Sequence, residues 1–199
     1  MKKLFLIPTA VILCLMGAMV FGEISAAEEE AQAMESVIRL HVRAADDSTE
    51  EQELKLAVRN EILAQTGELL KDCEDTEEAK EILKNHLSEL AEAGQRAVIR
   101  GGKDHTVTAE LRREVFEYRE YEGFFLPEGE YESLIITVGE GEGQNWWCVV
   151  FPSACYLGAA EGVETNENLM PSCFRLAKEQ PEEVTVKWGI WEWIKSLFA

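Results

Sequence analysis

Hydrophobic and polar positions follow two different periodicities along this chain, and the change from one to the other predicts where helices and strands lie. Residues 37–42 alternate with a period of two, the pattern of a half-buried β-strand. On the apolar side lie Ile38, Leu40 and Val42, and on the polar side lie Arg39 and His41. We therefore expect a first strand whose polar side faces solvent.

Two helices are predicted after this strand. Ser48 followed by Glu51 is a capping-box signature, so the first helix begins there and extends to about Leu70. The second is predicted over residues 76–93, where apolar residues recur at helical spacing and Gly94 is a natural stop. The many glutamates on both helices are typical of a solvated outer face.

Beyond Gly102 the pattern returns to a period of two. Strand-forming residues occur at 107–111, 115–118, 124–126 and 131–138, with turn chemistry at 127–130. This order predicts an α+β fold, in which a helical pair packs on a small, mostly antiparallel sheet.

The N-terminal residues have the features of an export segment. Lys2 and Lys3 precede an uncharged stretch at 4–21, and small residues at Ser25 and Ala27 fit a cleavage site. The stretch also approaches the length that crosses a bilayer as a helix. We expect residues 1–27 to be a signal peptide or a signal anchor, and the remainder to work outside the cytoplasm.

The rest of the chain is divided by composition. We expect a stem at 28–35, a folded domain at 36–156, an irregular segment at 157–183 and an aromatic amphipathic tail at 184–199. The tail places Trp188, Trp191 and Phe198 on one helical stripe, which suits either membrane contact or docking on the domain.

Net charge excludes one class of partner. The formal charge is −19 at pH 7, and nucleic acids and anionic membrane surfaces attract proteins that present positive patches. We therefore expect no nucleic-acid partner, and any membrane contact through the tail to be weak.

Four cysteines lie outside the export segment. Cys148 and Cys155 would close a small loop, and we predict that they form a disulfide, which an exported chain permits. Cys73 with Cys173 is the remaining pairing, although four cysteines allow three connectivities. No C-x-x-C motif occurs and the three histidines are far apart in sequence, so no metal or cofactor is expected.

A glycine-rich run precedes two adjacent tryptophans, Trp146 and Trp147. Glutamates separate the glycines at 139–143, and carboxylates there would oppose a bound phosphate. A tight turn that lets the tryptophans approach the core is favoured over a partner-binding tip, although both can hold. In an extended segment, one of two consecutive tryptophans should face away from the core.

Several segments together resemble the stage II sporulation protein R family. The run Gly-Glu-Gly-Glu-Gly-Gln-Asn-Trp-Trp-Cys-Val-Val-Phe-Pro at 139–152 is specific, and its order after the earlier segments strengthens the resemblance. Those segments are 38–42, 47–48, Gln52, 54–55, 58–59 and 129–132. The resemblance covers residues 36–156, and residues 43–46 depart from the family's usual sequence.

The resemblance implies an exported messenger made in the forespore. It would act between the two membranes on a membrane-embedded aspartic protease of the mother cell, which then processes the precursor of sigma-E. On this interpretation the protein is no enzyme, and the candidate contact residues are Trp146, Trp147, Arg39 and His41.

Two other classes stay open. One is an exported hydrolase that depends on carboxylates or on a thiol, with Cys148 as nucleophile and His41 or His105 as base. The other is a structural protein of the spore envelope.

Overall fold

The computed structural model describes residues 27–28, 30–121, 123–153, 155–157, 163–165 and 169–175, with the backbone alone at 155–157 and 163–165. The predicted export segment, apart from Ala27, lies outside the described residues. So do the tail, with Trp188, Trp191 and Phe198, and most of residues 157–183. The proposed domain boundaries stay predictions.

Helices and strands follow one another in blocks. Residues 30–35 are helical, and the helices that follow are α1 (Thr49–Leu69), α2 (Thr76–Asn85) and α3 (Leu87–Arg100). The strands are β1 (Ile38–Arg43), β2 (Val107–Phe116), β3 (Arg119–Tyr121), β4 (Phe124–Leu126), β5 (Gly129–Val138), β6 (Asn145–Phe151), β7 (Cys155–Leu157) and β8 (Val163–Thr165). A short 3-10 helix spans Ser172–Phe174.

Helix α1 begins at the predicted cap. The Ser48 hydroxyl accepts a hydrogen bond from the backbone N–H of Glu51 at 3.4 Å, which satisfies one free donor of the first turn. The Glu51 carboxylate is 3% exposed, and it contacts Lys103 Nζ at 2.8 Å and His105 Nε2 at 3.1 Å. The capping box is therefore confirmed in its serine half, while Glu51 joins α1 to the segment that leads into β2.

The single second helix predicted over 76–93 is wrong. The backbone leaves helical geometry at His86 (φ −111°, ψ 13°), where the ring Nδ1 donates to the carbonyl of Ile82 at 2.7 Å. Gly94 does not end α3, which continues to Arg100. A side chain at Gly94 would meet Val107 Cγ1 at 2.8 Å. Glycine instead lets α3 lie close against the sheet.

Four strands form the main sheet in the order β2-β5-β1-β6. β1 runs parallel to β5, whereas β1 with β6 and β2 with β5 are antiparallel. β3 pairs with β4 in a separate hairpin. The predicted α+β fold with a mostly antiparallel sheet is confirmed.

The two faces of this sheet differ, and we name them by what covers them. The helix face packs against α1 and α3. Val107 on this face lies against Gly94 of α3, and the fully buried Val58 of α1 lies beside them. Its fully buried members include Leu40, Val42, Leu134 and Ile136. The opposite side, which holds the alternate residues of each strand, is called the second face.

β1 is not half-buried, so the expectation of a solvated polar side is wrong. Arg39 is 0% exposed and His41 is 2% exposed. The reason is topology: β1 lies between β5 and β6, and aromatic residues cover its second face as helices cover the other. A period-two pattern cannot distinguish solvent from a second buried layer.

Candidate functional site

The second face carries a cluster of aromatic and polar side chains from all four strands of the main sheet, and Tyr121 of β3 contacts it. His41 on β1 pairs in register with Trp147 on β6, and their rings stack with centroids 3.7 Å apart at 24°. The edge of Phe116 from β2 meets the Trp147 ring at 5.1 Å. Trp147 is partly exposed, so it is the member of the cluster through which a partner can make contact.

A carboxylate orients the histidine. Nδ1 of His41 lies 2.9 Å from Glu114 Oε2, and the other oxygen of that carboxylate accepts from Arg43 Nη2 at 2.5 Å. Burial lowers the pKa of His41, although the hydrogen bond and the charge of Glu114 oppose this shift. The neutral imidazole is therefore the favoured form at neutral pH, and a neutral ring stacks flat on Trp147.

Arg39 is the largest fully buried side chain among the described residues. Its guanidinium carbon lies 3.9 Å from the centroid of Phe116 and 5.0 Å from that of Tyr131. Nη2 donates to the Tyr121 hydroxyl at 3.3 Å. Desolvation lowers the pKa of Arg39, and burial raises the pKa of Tyr121. Aromatic faces thus hold a cation that water does not reach.

The structure brings three of the four predicted contact residues together. Arg39, His41 and Trp147 share the second face, whereas Trp146 pairs with Val42 on the helix face and lies under Arg59, 4.9 Å from the guanidinium carbon. The two tryptophans lie on opposite faces of the sheet. Both are partly buried and pack against the hydrophobic core, so the prediction that one of them would face away from the core is wrong. Whether any of the four binds a partner stays a prediction.

The glycine run forms a tight turn. Gly139 and Gly141 adopt φ of +59° and +68°, a region that favours glycine. The backbone N–H of Gly143 donates to the carbonyl of Ala44 at 3.0 Å, and a side chain at Gly143 would collide with the backbone of Asp46. The predicted tight turn, from which both tryptophans reach the core, is therefore confirmed, and the turn packs against the β1–α1 connection.

Side chains then fix the start of β6 against α1. The backbone N–H of Gln144 donates to Asp47 Oδ1 at 2.6 Å, and the ammonium of Lys55 donates to the Gln144 carbonyl at 2.9 Å. These bonds fix the position of β6, the strand that carries both tryptophans.

The structure tests part of the disulfide pairing that the sequence predicts. Cys73 is a free thiol that donates to the carbonyl of Asp75 at 3.3 Å, so the Cys73 to Cys173 pairing is wrong. Cys148 is buried on β6, but the side chain of Cys155 lies outside the described part of the molecule. A Cys148 to Cys155 disulfide stays a prediction.

The proposed pairing of Cys148 with a histidine base is not formed. Cys148 pairs in register with Leu40 on the helix face, whereas His41 projects from the second face. His105, the alternative base, bonds to Glu51. Within the described residues, no group of three potential metal ligands occurs, and no helix there combines the length and the apolar character needed to cross a bilayer.

Sequence reasoning missed several members of the cluster. Glu114, Phe116, Tyr121, Tyr131 and Ser133 come from β2, β3 and β5, and their approach to β1 depends on strand order. One signal was available, since Ser133 precedes the apolar run at 134–136 and shares a strand with it. A polar side chain in a buried strand needs a hydrogen-bond partner, so Ser133 was a position where a polar contact could be expected.

Comparison with known proteins decides the family. The family model described as stage II sporulation protein R matches residues 34–161, which include β1, all three numbered helices and the sheet. The chain belongs to the stage II sporulation protein R family. Stage II sporulation protein R of Bacillus subtilis (strain 168) is 30% identical over an alignment of 227 positions, which covers the whole of both proteins. No solved structure matches this chain.

Membership supports a role in sporulation. It also gives the cluster a context, because β1, β2, β5 and β6 all lie inside the matched residues. The second face is thus part of the family's own domain.

Proposed function

We propose that this protein is an exported sporulation signal that activates a membrane-embedded aspartic protease of the mother cell, which then processes the sigma-E precursor. Membership of the stage II sporulation protein R family supports the proposal. The site of action is the space between the forespore and mother-cell membranes. Export proceeds through residues 1–27.

The observation that carries the proposal is the partly exposed Trp147 ring above a buried polar layer. Tryptophan, tyrosine and arginine dominate the energetics of protein interfaces. His41 and Phe116 hold the Trp147 ring from two directions, so little conformational entropy is lost when a partner covers it. The second face is therefore the surface that meets the receptor.

Activation by docking has a thermodynamic requirement. A signal shifts its receptor toward an active state only if it binds that state more tightly than the inactive one. This protein performs no chemistry in such a mechanism, and its contribution is the difference between two affinities.

Reconstitution tests the proposal. This protein, the candidate protease and the precursor are produced together in a bacterium that does not sporulate, and cleavage of the precursor is followed on immunoblots. We expect Trp147→Ala to reduce cleavage about thirtyfold, since an interface anchor contributes about 2 kcal/mol or more. Trp146→Ala should have a smaller effect, because Trp146 lies on the helix face.

The matched control is Ile99→Ala, which removes an apolar side chain that is 64% exposed on α3. Cleavage should be unchanged in that variant, and export of every variant is measured in the same cells. Full cleavage with Trp147→Ala at normal export, or cleavage without this protein, contradicts the proposal. The latter result would favour a structural role in the spore envelope.

A further inference from the structure

Arg39 is a buried cation whose partners are incomplete. Among the described residues, Nη2 donates to the Tyr121 hydroxyl, while Nε and Nη1 have no acceptor. Burying a charge is costly unless its hydrogen bonds are satisfied. The two rings beside the guanidinium offer attraction to its charge, but they offer no lone pairs to its N–H groups.

A second polar group lies in the same place. Ser133 pairs in register with Arg39 on the neighbouring strand β5, so both residues project from the second face. Ser133 is fully buried, and its hydroxyl has no hydrogen-bond partner among the described residues. Two adjacent buried donors without acceptors are rare in native structures.

We propose that Arg39 and Ser133 form a binding site for a single carboxylate group supplied by a peptide partner. The guanidinium is planar and matches the two oxygens of a carboxylate, and the Ser133 hydroxyl is an additional donor. The site therefore takes either the C-terminal carboxylate of a peptide or the side chain of an Asp or Glu residue.

The charge of the site selects a monoanion. Arg39 supplies the positive charge of the buried layer, because the Phe116 and Tyr131 rings carry none and the exposed Arg119 lies over the Trp147 ring instead, 5.6 Å from its centroid. Glu114 lies on the same face and is committed to His41 and Arg43. A phosphate dianion would leave one negative charge uncompensated beside this carboxylate.

The hairpin of β3 and β4 gives the route of entry. It is not hydrogen-bonded into the main sheet, and it reaches Arg39 through the Tyr121 hydroxyl. That bond is 3.3 Å long, near the outer limit for such contacts. On this proposal, displacement of Tyr121 uncovers the side of the guanidinium that the Phe116 and Tyr131 rings do not cover. Arg119 on the same strand is exposed, and its charge would attract an incoming carboxylate.

The inference rests on the proposed function only for the identity of the partner. A carboxylate that binds Arg39 would make the second face a recognition site for acidic or C-terminal peptide, which extends the proposed contact from Trp147 to the buried layer below it. The two ideas therefore fail separately.

Nuclear magnetic resonance of the full-length protein in detergent, with ¹⁵N-labelled arginine, tests the site. The Arg39 Nε–H signal is assigned through its proximity to the Phe116 ring, which needs no variant. Acetate is titrated at constant ionic strength against chloride and phosphate. We expect a saturable shift of the Arg39 signal with acetate, and none with chloride or phosphate.

Two variants sharpen the result. Ser133→Ala removes one donor and should weaken acetate binding about three- to tenfold. Arg113→Met is the matched control, because it removes an arginine that is half exposed on the helix-face side of β2. It should leave acetate binding unchanged.

Two peptides identify the source of the carboxylate. One ends in a free carboxylate and has no acidic side chain, and the other has an internal glutamate and an amidated end. Tighter binding of either one supports the site and names its ligand.

Three results would overturn the inference: a shift with acetate that does not saturate, tighter binding of phosphate than of acetate, or an equal loss in Arg113→Met and Ser133→Ala. Precursor cleavage is measured separately. Cleavage without acetate binding removes this inference alone, and acetate binding without cleavage removes the proposed function alone.

Discussion

The two faces of one sheet are built on different principles. The helix face is filled by aliphatic residues such as Leu40, Leu134 and Ile136, and packing against α1 and α3 explains it completely. The second face buries Arg39, His41 and Ser133 among aromatic rings. Burying polar groups in this way lowers the stability of the fold, whereas a layer of aliphatic side chains would not. The difference teaches that the helix face maintains the fold, while the second face buries polar groups that the packing of the fold does not require.

The largest effect on stability is expected from a substitution on the helix face. Leu134→Ala should lower the free energy of unfolding by about 2–5 kcal/mol, because it leaves a cavity between fully buried neighbours. Chemical denaturation followed by circular dichroism measures the change. The control Ile99→Ala should stay within about 0.5 kcal/mol of the parent. A cost below about 1 kcal/mol for Leu134→Ala would mean that the aliphatic layer is not the stabilising one.

Much of this fold is predictable from sequence, for identifiable reasons. Ser48 fixed the start of α1 because a cap is a local signal, and the strands carried their own rhythm. The break at His86 was missed because helical spacing continues across it. The burial of Arg39 was missed because strand order, which places β1 in the centre, depends on pairing with residues beyond 128.

The candidate site was predictable only in outline. Trp147, Arg39 and His41 were singled out, but their convergence on one face follows from a register that the sequence does not state. Trp146 was grouped with Trp147 as its neighbour, and the alternation of the strand separates them.

A disulfide would reinforce the helix face, on which Cys148 lies. Cys155→Ser should lower the free energy of unfolding by about 2 kcal/mol if Cys155 closes a small loop with Cys148. Thiol titration of the purified protein under denaturing conditions counts its free thiols directly. Cys73→Ser is the matched control, since Cys73 is a free thiol. Equal stability of Cys155→Ser and the parent would mean that no such bond forms.

The ionic contact of Glu51 with Lys103 and His105 should have the next largest effect on stability, and acid should remove it. Burial acts to raise the pKa of Glu51, but Lys103 and His105 outweigh it, so the pKa lies below its ordinary value of 4.5. The contribution is complete above pH 4.5 and is lost as the pH falls through the folded value. Glu51→Gln should cost about 1 kcal/mol at pH 7, discounted because Lys103 is exposed.

Urea unfolding at several pH values checks this prediction. The difference between Glu51→Gln and the parent should disappear in strong acid. A difference that stays constant down to strong acid would contradict the ionic origin.

The smallest expected effect belongs to the second face and occurs in a different pH window. The pKa of His41 lies below its ordinary value of 6.5 because of burial, so the unfolded protein takes up a proton first as the pH falls. Stability is complete above pH 6.5 and decreases below it. Between about pH 7 and pH 5 the parent should lose up to about 1 kcal/mol more than His41→Gln.

The same unfolding series measures that loss, and Trp fluorescence reports the ring stacked on His41. Identical pH profiles for His41→Gln and the parent would mean that His41 does not titrate on folding. The contribution of the second face to stability would then not depend on pH in this range.

The position of β1 has a consequence for how the molecule assembles. This strand is made before the other strands, yet Leu40 pairs with Leu134 on one side and with Cys148 on the other. Contacts between residues so distant in sequence form slowly. The sheet cannot close until residue 151 is available, and a polypeptide threaded through a membrane from its N-terminus would stay extended until nearly all of this domain had emerged.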